Sequence, residues 1–550
     1  MGPPSPRDST PWSGGKDSNV SKVSAKKRIF CRVFGMARCF LLGRALWEAR
    51  RRANNVMRER ALISMSHIEP GQHIPDRGEA QGETTFHVAT YGCQMNVYDS
   101  DWLKRALRAK GLKETGPETA QVHIVTTCSV REKPELKVYS HLGRLKSLFD
   151  KHPNGFAAVG GCVAQQIGKG FFERFPFVRL VFGPDGTAGV PGAVEQLLAD
   201  PSLRLCLTDF EENYTERDPF PQGQGEEAPL AGPGQGFVSI MQGCDNFCAY
   251  CIVPYVRGRQ KSRPSESVLA ECRALVERGV REITLLGQNV NSYGQDKAGH
   301  GVSFAELLAK VAGMEGVDRL KFTTSHPKDI DRDVIAAFGE YEALCPQLHL
   351  PLQAGSDRVL KAMGRRYDMA RYREIVKGLR QARPDIALTT DLLVGFPGET
   401  DEDFQRTLEA MDEFRFSAGF SFMYSDRPGV RAEKMDNKVE EAVKAERLAR
   451  LQALQENHTN EHLHAMIGKQ VTMLVEGPGS IKALDGSLEQ GLALRGRDEY
   501  NHSVNAAWPE ETVASQGNAD IGWSVGKLVF AEITRAKKHS LAGVIRGTPW

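Results

Sequence analysis

The chain has 550 residues, 25% of them charged and 41% apolar, with a formal net charge of +2. That length holds three or four domains of ordinary size, and no apolar run is long enough to span a bilayer, so nothing argues for a membrane protein. The charge is uneven: residues 21–60 carry twelve Lys and Arg against Glu48 and Glu59, leaving residues 61–550 at about −8, so a nucleic acid has to be met by local basic patches and not by the overall field.

Residues 1–82 read as an appendage. Their Pro/Ser/Gly-rich opening and basic stretch around Arg50, Arg51 and Arg52 suit a disordered tail or a start placed too far upstream, with Met57 and Met65 as internal starts. The Arg-rich, acid-poor run with an amphipathic Phe34–Leu46 also matches an organellar targeting segment.

From residue 84 to 201, short apolar strands alternate with amphipathic helices: Phe86–Thr90, Val122–Thr126, Gly155–Val159 and Val178–Phe182. This rhythm predicts an open parallel sheet covered on both faces. Cys93, Cys128 and Cys162 each follow one of these strands, in Tyr91-Gly-Cys-Gln-Met-Asn, Thr126-Thr-Cys-Ser-Val-Arg and Gly160-Gly-Cys-Val-Ala-Gln. Loops at the carboxyl ends of parallel strands converge on one crevice, which makes the three a candidate metal site, although buried cysteines near strand ends also arise by chance.

A Pro/Gly/Glu-rich bridge from Asp218 to Gly234 leads to a second domain, residues 230–462, in which the rhythm recurs six times. Its strands are Phe237–Met241, Glu282–Leu286, Leu320–Thr324, Leu348–Leu352, Ile386–Val394 and Ala418–Met423, with helices such as Glu266–Arg278 and Asp403–Phe414 between them. Six such units predict a partial (β/α)6 barrel with its chemistry at the carboxyl ends of the strands. Val439–Lys469 then reads as a charged connector helix, and residues 465–537 as a small five-stranded barrel of an RNA-binding kind, followed by the basic run Arg535–His539.

After the first barrel strand comes Gly243-Cys-Asp-Asn-Phe-Cys-Ala-Tyr-Cys. Cys244, Cys248 and Cys251 suit three irons of a 4Fe-4S cluster with the fourth left open; a structural zinc site needs a fourth Cys or His, and none follows within a dozen residues. An open iron in a barrel crevice suits S-adenosylmethionine, whose amino and carboxylate groups chelate it and whose sulfonium accepts an electron to release a 5′-deoxyadenosyl radical. Tyr250 stands where an aromatic packs on adenine, or simply packs the loop. Gly395, Pro397 and Gly398, in Gly395-Phe-Pro-Gly-Glu-Thr, offer close backbone approach to the adenosyl group, or form a plain turn into a helix capped by Thr400. The odd cysteine count and the absence of a secretory signal favour a reducing cytoplasm over disulfides.

Together with Leu286-Gly-Gln-Asn-Val-Asn-Ser-Tyr-Gly and His349-Leu-Pro-Leu-Gln-Ala-Gly-Ser-Asp, these motifs resemble the radical-SAM methylthiotransferases over Thr84–Lys537. The wording from Gln288 to Gly294 is similar to that of the subgroup acting on isopentenyladenosine in tRNA. The resemblance implies a methylthiotransferase domain with an auxiliary 4Fe-4S cluster on Cys93, Cys128 and Cys162, a radical-SAM core with its cluster on Cys244, Cys248 and Cys251, and a carboxyl-terminal TRAM domain gripping tRNA. It implies methylthio insertion at C2 of N6-isopentenyladenosine next to the anticodon, giving 2-methylthio-N6-isopentenyladenosine. The partners it implies are the anticodon stem-loop and a flavodoxin- or ferredoxin-type electron donor; the sulfur source stays open, and a monomer is expected. The alternatives are methylthiolation of threonylcarbamoyl-adenosine or of a ribosomal protein residue, and a non-catalytic iron–sulfur RNA-binding protein. Thr126, Ala354 and Gly364 depart from the family wording without touching a ligand. Arg257–Arg263 and Arg535–Lys538 are the expected phosphate patches, or solvated faces, while Cys31, Cys39, Cys206, Cys272 and Cys345 have no assigned role.

Overall fold

From Thr85 onward, β1 (Thr85–Thr90), β2 (Lys113–Glu114), β3 (Val122–Thr127), β4 (Phe156–Gly161), β5 (Val178–Phe182) and β6 (Leu205–Leu207) form an all-parallel sheet in the order β2-β1-β3-β4-β5-β6. The computed structural model describes residues 83–129, 132–151, 154–221, 232–296, 301–480, 493–508 and 521–550, all within one unit that begins at Gly82. The expectations for residues 1–82, including Cys31 and Cys39, lie outside the described residues. Alternate side chains of the central strands enter two cores. Val122, Ile124, Phe156 and Ala158 pack with Trp102 and Leu103 on one face, and Val125, Ala157 and Val159 with Val138 and Leu142 on the other. Burial on both faces is why Phe156–Val159 of β4 is an unbroken apolar run.

The second domain has six parallel strands in two runs. β7 (Gln235–Ser239), β10 (Glu282–Leu286) and β11 (Arg319–Thr323) form one sheet, and β12 (Gln347–His349), β13 (Ala387–Val394) and β14 (Ala418–Met423) the other. A single parallel bridge, Leu320 to Leu344, joins them into the expected partial barrel. A hairpin the pattern did not predict, β8 (Met241–Gln242) against β9 (Lys261–Ser262), pinches the base of the cysteine loop. The helices Ser265–Glu277 and Asp401–Phe414 match the periodicity, and Thr400 forms a capping box with Asp403.

The helix Glu441–His464 is more than a connector. It buries Lys444, Arg447, Gln455 and His458, with Gln455 Nε2 donating to Phe416 O at 2.9 Å. Beyond it, β15 (Gln470–Pro478), β16 (Ala493–Asp498), β17 (Ser503–Ala507), β18 (Leu528–Lys537) and β19 (Ser540–Arg546) close a five-stranded barrel in the order β15-β16-β17-β19-β18. The barrel closes only with β19, so it runs past Lys537, and the basic run Arg535–His539 is the end of β18 and its turn, not a tail after the last strand. Among the described residues no helix is long and apolar enough to cross a membrane.

Candidate cluster and cofactor site

The sheet delivers its three cysteines as the spacing requires. Cys93 is the N-cap of the sixteen-residue helix Gln94–Ala109, Cys128 follows β3, and Cys162 opens the helix Cys162–Ile167 after β4. Two glycines make room. Gly92 has φ +141°, and a Cβ there would lie 2.6 Å from Cys128 Cβ; Gly161 has φ +91°, and a Cβ would lie 2.4 Å from Thr127 O. Thr127 ties the strand ends together, its Oγ1 donating to Gly160 O at 2.6 Å and accepting from Val163 N at 3.2 Å.

The thiols of this triad are electrostatic neighbours. Cys93 is exposed at the mouth of the site, and a hydrogen bond with Cys128 holds it down at about 5, helped by Arg257 and by the Asn96 and Met95 N–H groups of its helix start. Burial pushes Cys162 up, and Arg257 opposes it. Arg257 itself is buried, and although burial works against its charge, the Cys162 and Cys93 thiols and Asp99 hold it well above its ordinary value.

The other triad sits on the loop after β8. Cys244 N donates to Gly258 O at 3.3 Å, Gly243 N to Gln288 Oε1 at 2.7 Å, and Ala249 N to Met363 O at 2.8 Å, so the loop is pinned to β10 and to the helix Asp357–Met363. Gly243 has φ +79° and leaves only 2.0 Å between a Cβ and Arg259 O. As free thiols Cys244 is pushed up to about 11 and Cys251 to about 12, in both cases by burial first. A second buried cation, Arg365, donates to Cys248 Sγ at 3.4 Å and to Pro351 O at 3.3 Å. Tyr250 is half-buried against the barrel core, beside Arg365 and Cys248.

Donor chemistry and spacing fit a cluster at each triad. None of the nine described cysteines is in a disulfide, yet no three His, Cys, Asp or Glu among the described residues converge closely enough to hold a single ion. Cubane ligands stand farther apart, because each binds a different iron. Each triad has one buried guanidinium beside it, which suits a thiolate-ligated anionic group.

A model of the radical SAM superfamily matches residues 238–411, and a model described as uncharacterized protein family UPF0004 matches residues 85–183. The chain is 55% identical over 472 residues to the tRNA-2-methylthio-N(6)-dimethylallyladenosine synthase of Nitratidesulfovibrio vulgaris, covering 85% of this chain and 100% of that one. It is 52% identical over 471 residues to the synthase of the same name from Oleidesulfovibrio alaskensis, covering 84% and 98%. The chain belongs to this family of radical-SAM methylthiotransferases (MiaB). Among solved structures, the radical S-adenosylmethionine methyltransferase TsrM from Kitasatospora setae aligns over 64% of this chain and 75% of that one, with 15% identity and a TM-score of 0.48.

Other expected residues of this methylthiotransferase fall differently. Gly395 and Gly398 lie past β13, at the same end of the barrel as the cysteine loop, with φ of +73° and +80°. Their hydrogen bonds run to Glu399 Oε2 at 2.7 Å and Asn437 O at 2.8 Å. Phe396 is in the core, and Pro397 sits in the same turn. Glu399 meets buried Arg447 at 2.7 Å, so the turn is anchored to the long helix. The phosphate patch expected at Arg257–Arg263 is not one. Arg257, Lys261 and Arg263 are 3%, 4% and 2% exposed; Lys261 pairs with Asp185 at 2.7 Å and Arg263 with Glu271, while exposed Arg259 grips Asp245 at 2.6 Å. These cations hold the domains and the cysteine loop together. Lys538 of the second patch pairs with Glu456 at 2.6 Å. Pattern reading assigned Arg257 to phosphate and gave Arg365 no role; the only signal of either was a basic residue a few positions from a cysteine motif or a helix end.

Proposed function

We propose that this chain is the tRNA methylthiotransferase that inserts a methylthio group at C2 of N6-isopentenyladenosine next to the anticodon. The observation that carries the reading is the pair of cysteine triads, one at the carboxyl ends of β1, β3 and β4 and one on the loop after β7 and β8, brought together in one chain. Cys93, Cys128 and Cys162 hold one 4Fe-4S cluster, and Cys244, Cys248 and Cys251 hold the other. When bound, that second cluster supplies an electron to S-adenosylmethionine, whose adenosyl fragment takes a hydrogen that no acid or base removes.

The chain's own residues position and protect that chemistry. Arg365 fixes the Cys248 end of the loop through its donations to Cys248 Sγ and Pro351 O. Tyr250 packs beside the cofactor, and Gly395, Pro397 and Gly398 border its adenosyl group, where the side-chain-free space around Gly398 supports close approach. The carboxyl-terminal barrel takes the anticodon stem-loop. It presents exposed aromatic rings, Phe530 against Trp550 at 4.7 Å, and sequence-tolerant stacking of bases on such rings is a common grip on RNA. The working unit is one chain, because all six ligands lie in it. Electrons come from a reduced flavodoxin- or ferredoxin-type partner in the cytoplasm.

Nucleoside mass spectrometry of tRNA from a deletion strain tests the function. Loss of the 2-methylthio mark with accumulation of N6-isopentenyladenosine is expected. An unchanged tRNA profile refutes it.

A further inference from the structure

The site formed by Cys93, Cys128 and Cys162 is not completed by the sheet that carries those residues. Arg257 reaches it from the barrel domain, six residues past Cys251 and one past the short helix Val253–Val256. That helix is keyed to the sheet, since Cys162 packs with Ile252, Val256 and Val430 in one small buried cluster. The guanidinium is 3% exposed and lies between the two domains.

One of its ends is fixed. Arg257 Nη2 donates to Asn96 Oδ1 at 3.3 Å. Asn96 has no freedom to turn away, because its Nδ2 donates to Tyr91 O at 2.9 Å and Thr127 O at 2.8 Å. Those are the carbonyls two residues before Cys93 and directly before Cys128, so Arg257 is registered against the strand ends that set the triad. The other end faces the thiols: Nη1 is buried with no oxygen or nitrogen acceptor among the described residues, and the Cys162 thiol, a weak acceptor, lies beside the guanidinium. A buried guanidinium N–H left without an acceptor is costly. The acceptor this site gains on loading is sulfur.

We infer that Arg257 is a positioning residue of the auxiliary site, its Nη1 donating to sulfur of the 4Fe-4S cluster held by Cys93, Cys128 and Cys162. The inference rests on the two-cluster reading above. It makes the auxiliary site a joint product of both domains, with the loop that carries Cys244, Cys248 and Cys251 also supplying, a few residues on, the donor to the other cluster. Hydrogen bonds to cluster sulfurs, together with a nearby positive charge, favour the reduced cluster and raise its potential.

The test uses the full chain with Cys244, Cys248 and Cys251 replaced by Ala, reconstituted anaerobically, so that all iron reports the auxiliary site. About four irons per chain are expected. In that background Arg257→Met shifts the midpoint potential, followed by EPR during redox titration, to more negative values, and Arg257→Lys, which keeps the charge but not the fork, falls between Met and Arg. Iron near zero before Arg257 is altered overturns the two-cluster reading and this inference with it. Four irons with an unchanged potential in Arg257→Met overturns this inference alone. Should Arg257→Met not load iron, the unaltered Arg257 chain labelled with 15N-guanidinium arginine decides: hyperfine coupling of 15N to the reduced auxiliary cluster, lost in Arg257→Lys, supports the donation, and absence of coupling overturns it.

Discussion

Gly161 leaves the auxiliary site no slack. Its φ of +91° already disfavours any side chain, and a Cβ would stand 2.4 Å from Thr127 O, the carbonyl next to Cys128. Gly161→Ala therefore forces the ends of β3 and β4 apart, with a backbone cost of about 1–3 kcal/mol and displacement of two of the three ligands. Iron analysis after reconstitution should fall from about eight to about four per chain, because the loop with Cys244, Cys248 and Cys251 is untouched. Gly111→Ala is the matched control. It has φ +80° but nothing within 4 Å of a Cβ, so it costs about 1 kcal/mol and keeps full iron. Equal iron loss in both variants would show that strain, not the approach to Thr127, governs the site. The placement of the six cysteines, three at strand ends and three on one loop, was legible in the sequence because each strand end, and the loop, follows a recognisable apolar strand. Arg257 and Arg365 were not, because an arginine near a motif has the same signature whether it faces phosphate or is buried against sulfur; only their 3% and 5% exposure separates the two.

The central strands were legible for a related reason, since burial on both faces favours apolar residues, unbroken over Phe156–Val159 in β4. β2 and β6, of two and three residues, lie at the sheet edges and have no run long enough to carry a pattern. The hairpin β8/β9 was invisible because its strands are two residues each and eighteen residues separate Gln242 from Lys261. One central strand also carries a polar residue against its pattern. His123 on β3 is buried, its Nε2 within 3.1 Å of Ala120 O and its ring edge-on to Phe149 at 5.3 Å. Burial pushes it down to about 4, with the Ala120 carbonyl opposing and His87 and His141 adding to the fall. Its folded value lies below the ordinary one near 6.5, so its contribution to stability is complete above that pH. As pH falls from about 6.5 towards 4, the unfolded chain binds a proton that the folded chain refuses, and stability drops by on the order of 3 kcal/mol. His123→Phe should flatten that part of the profile in denaturant unfolding at pH 7 and pH 4.5. Parallel losses in variant and parent would mean that other groups control the acid limb.

At the scale of the whole molecule, the strand-helix rhythm and the Pro/Gly-rich bridge separated the domains in sequence, but nothing there showed that they dock through buried charge. The contacts are side-chain pairs far apart in the chain, Lys261 with Asp185 at 2.7 Å and Tyr98 OH donating to Glu271 at 3.3 Å beside Arg263, while Arg217 of the connecting segment pairs with Asp99 at 2.9 Å. Trp102 Nε1 adds a donation to Asp218 O at 2.8 Å. Side chains of Lys261 and Asp185 are 5% and 3% exposed, and Asp185 Oδ1 also accepts from Gln242 Nε2 at 2.5 Å, so one carboxylate serves both strands of the hairpin that clamps the cysteine loop. Removing one partner of such a pair strands the other charge in the interior, at about 3–5 kcal/mol, whereas replacing both by apolar groups of similar size is often close to neutral. Asp185→Asn should therefore destabilise the chain strongly and split its denaturant unfolding into two transitions, with the sheet domain leaving first. Asp185→Leu combined with Lys261→Met should recover most of the loss, so a double-mutant cycle completed with the two single substitutions should give a coupling at least as large as the smaller single loss. A single unshifted transition in Asp185→Asn would mean that the interface is held by its apolar contacts and that the buried pair only sets the register of the two domains.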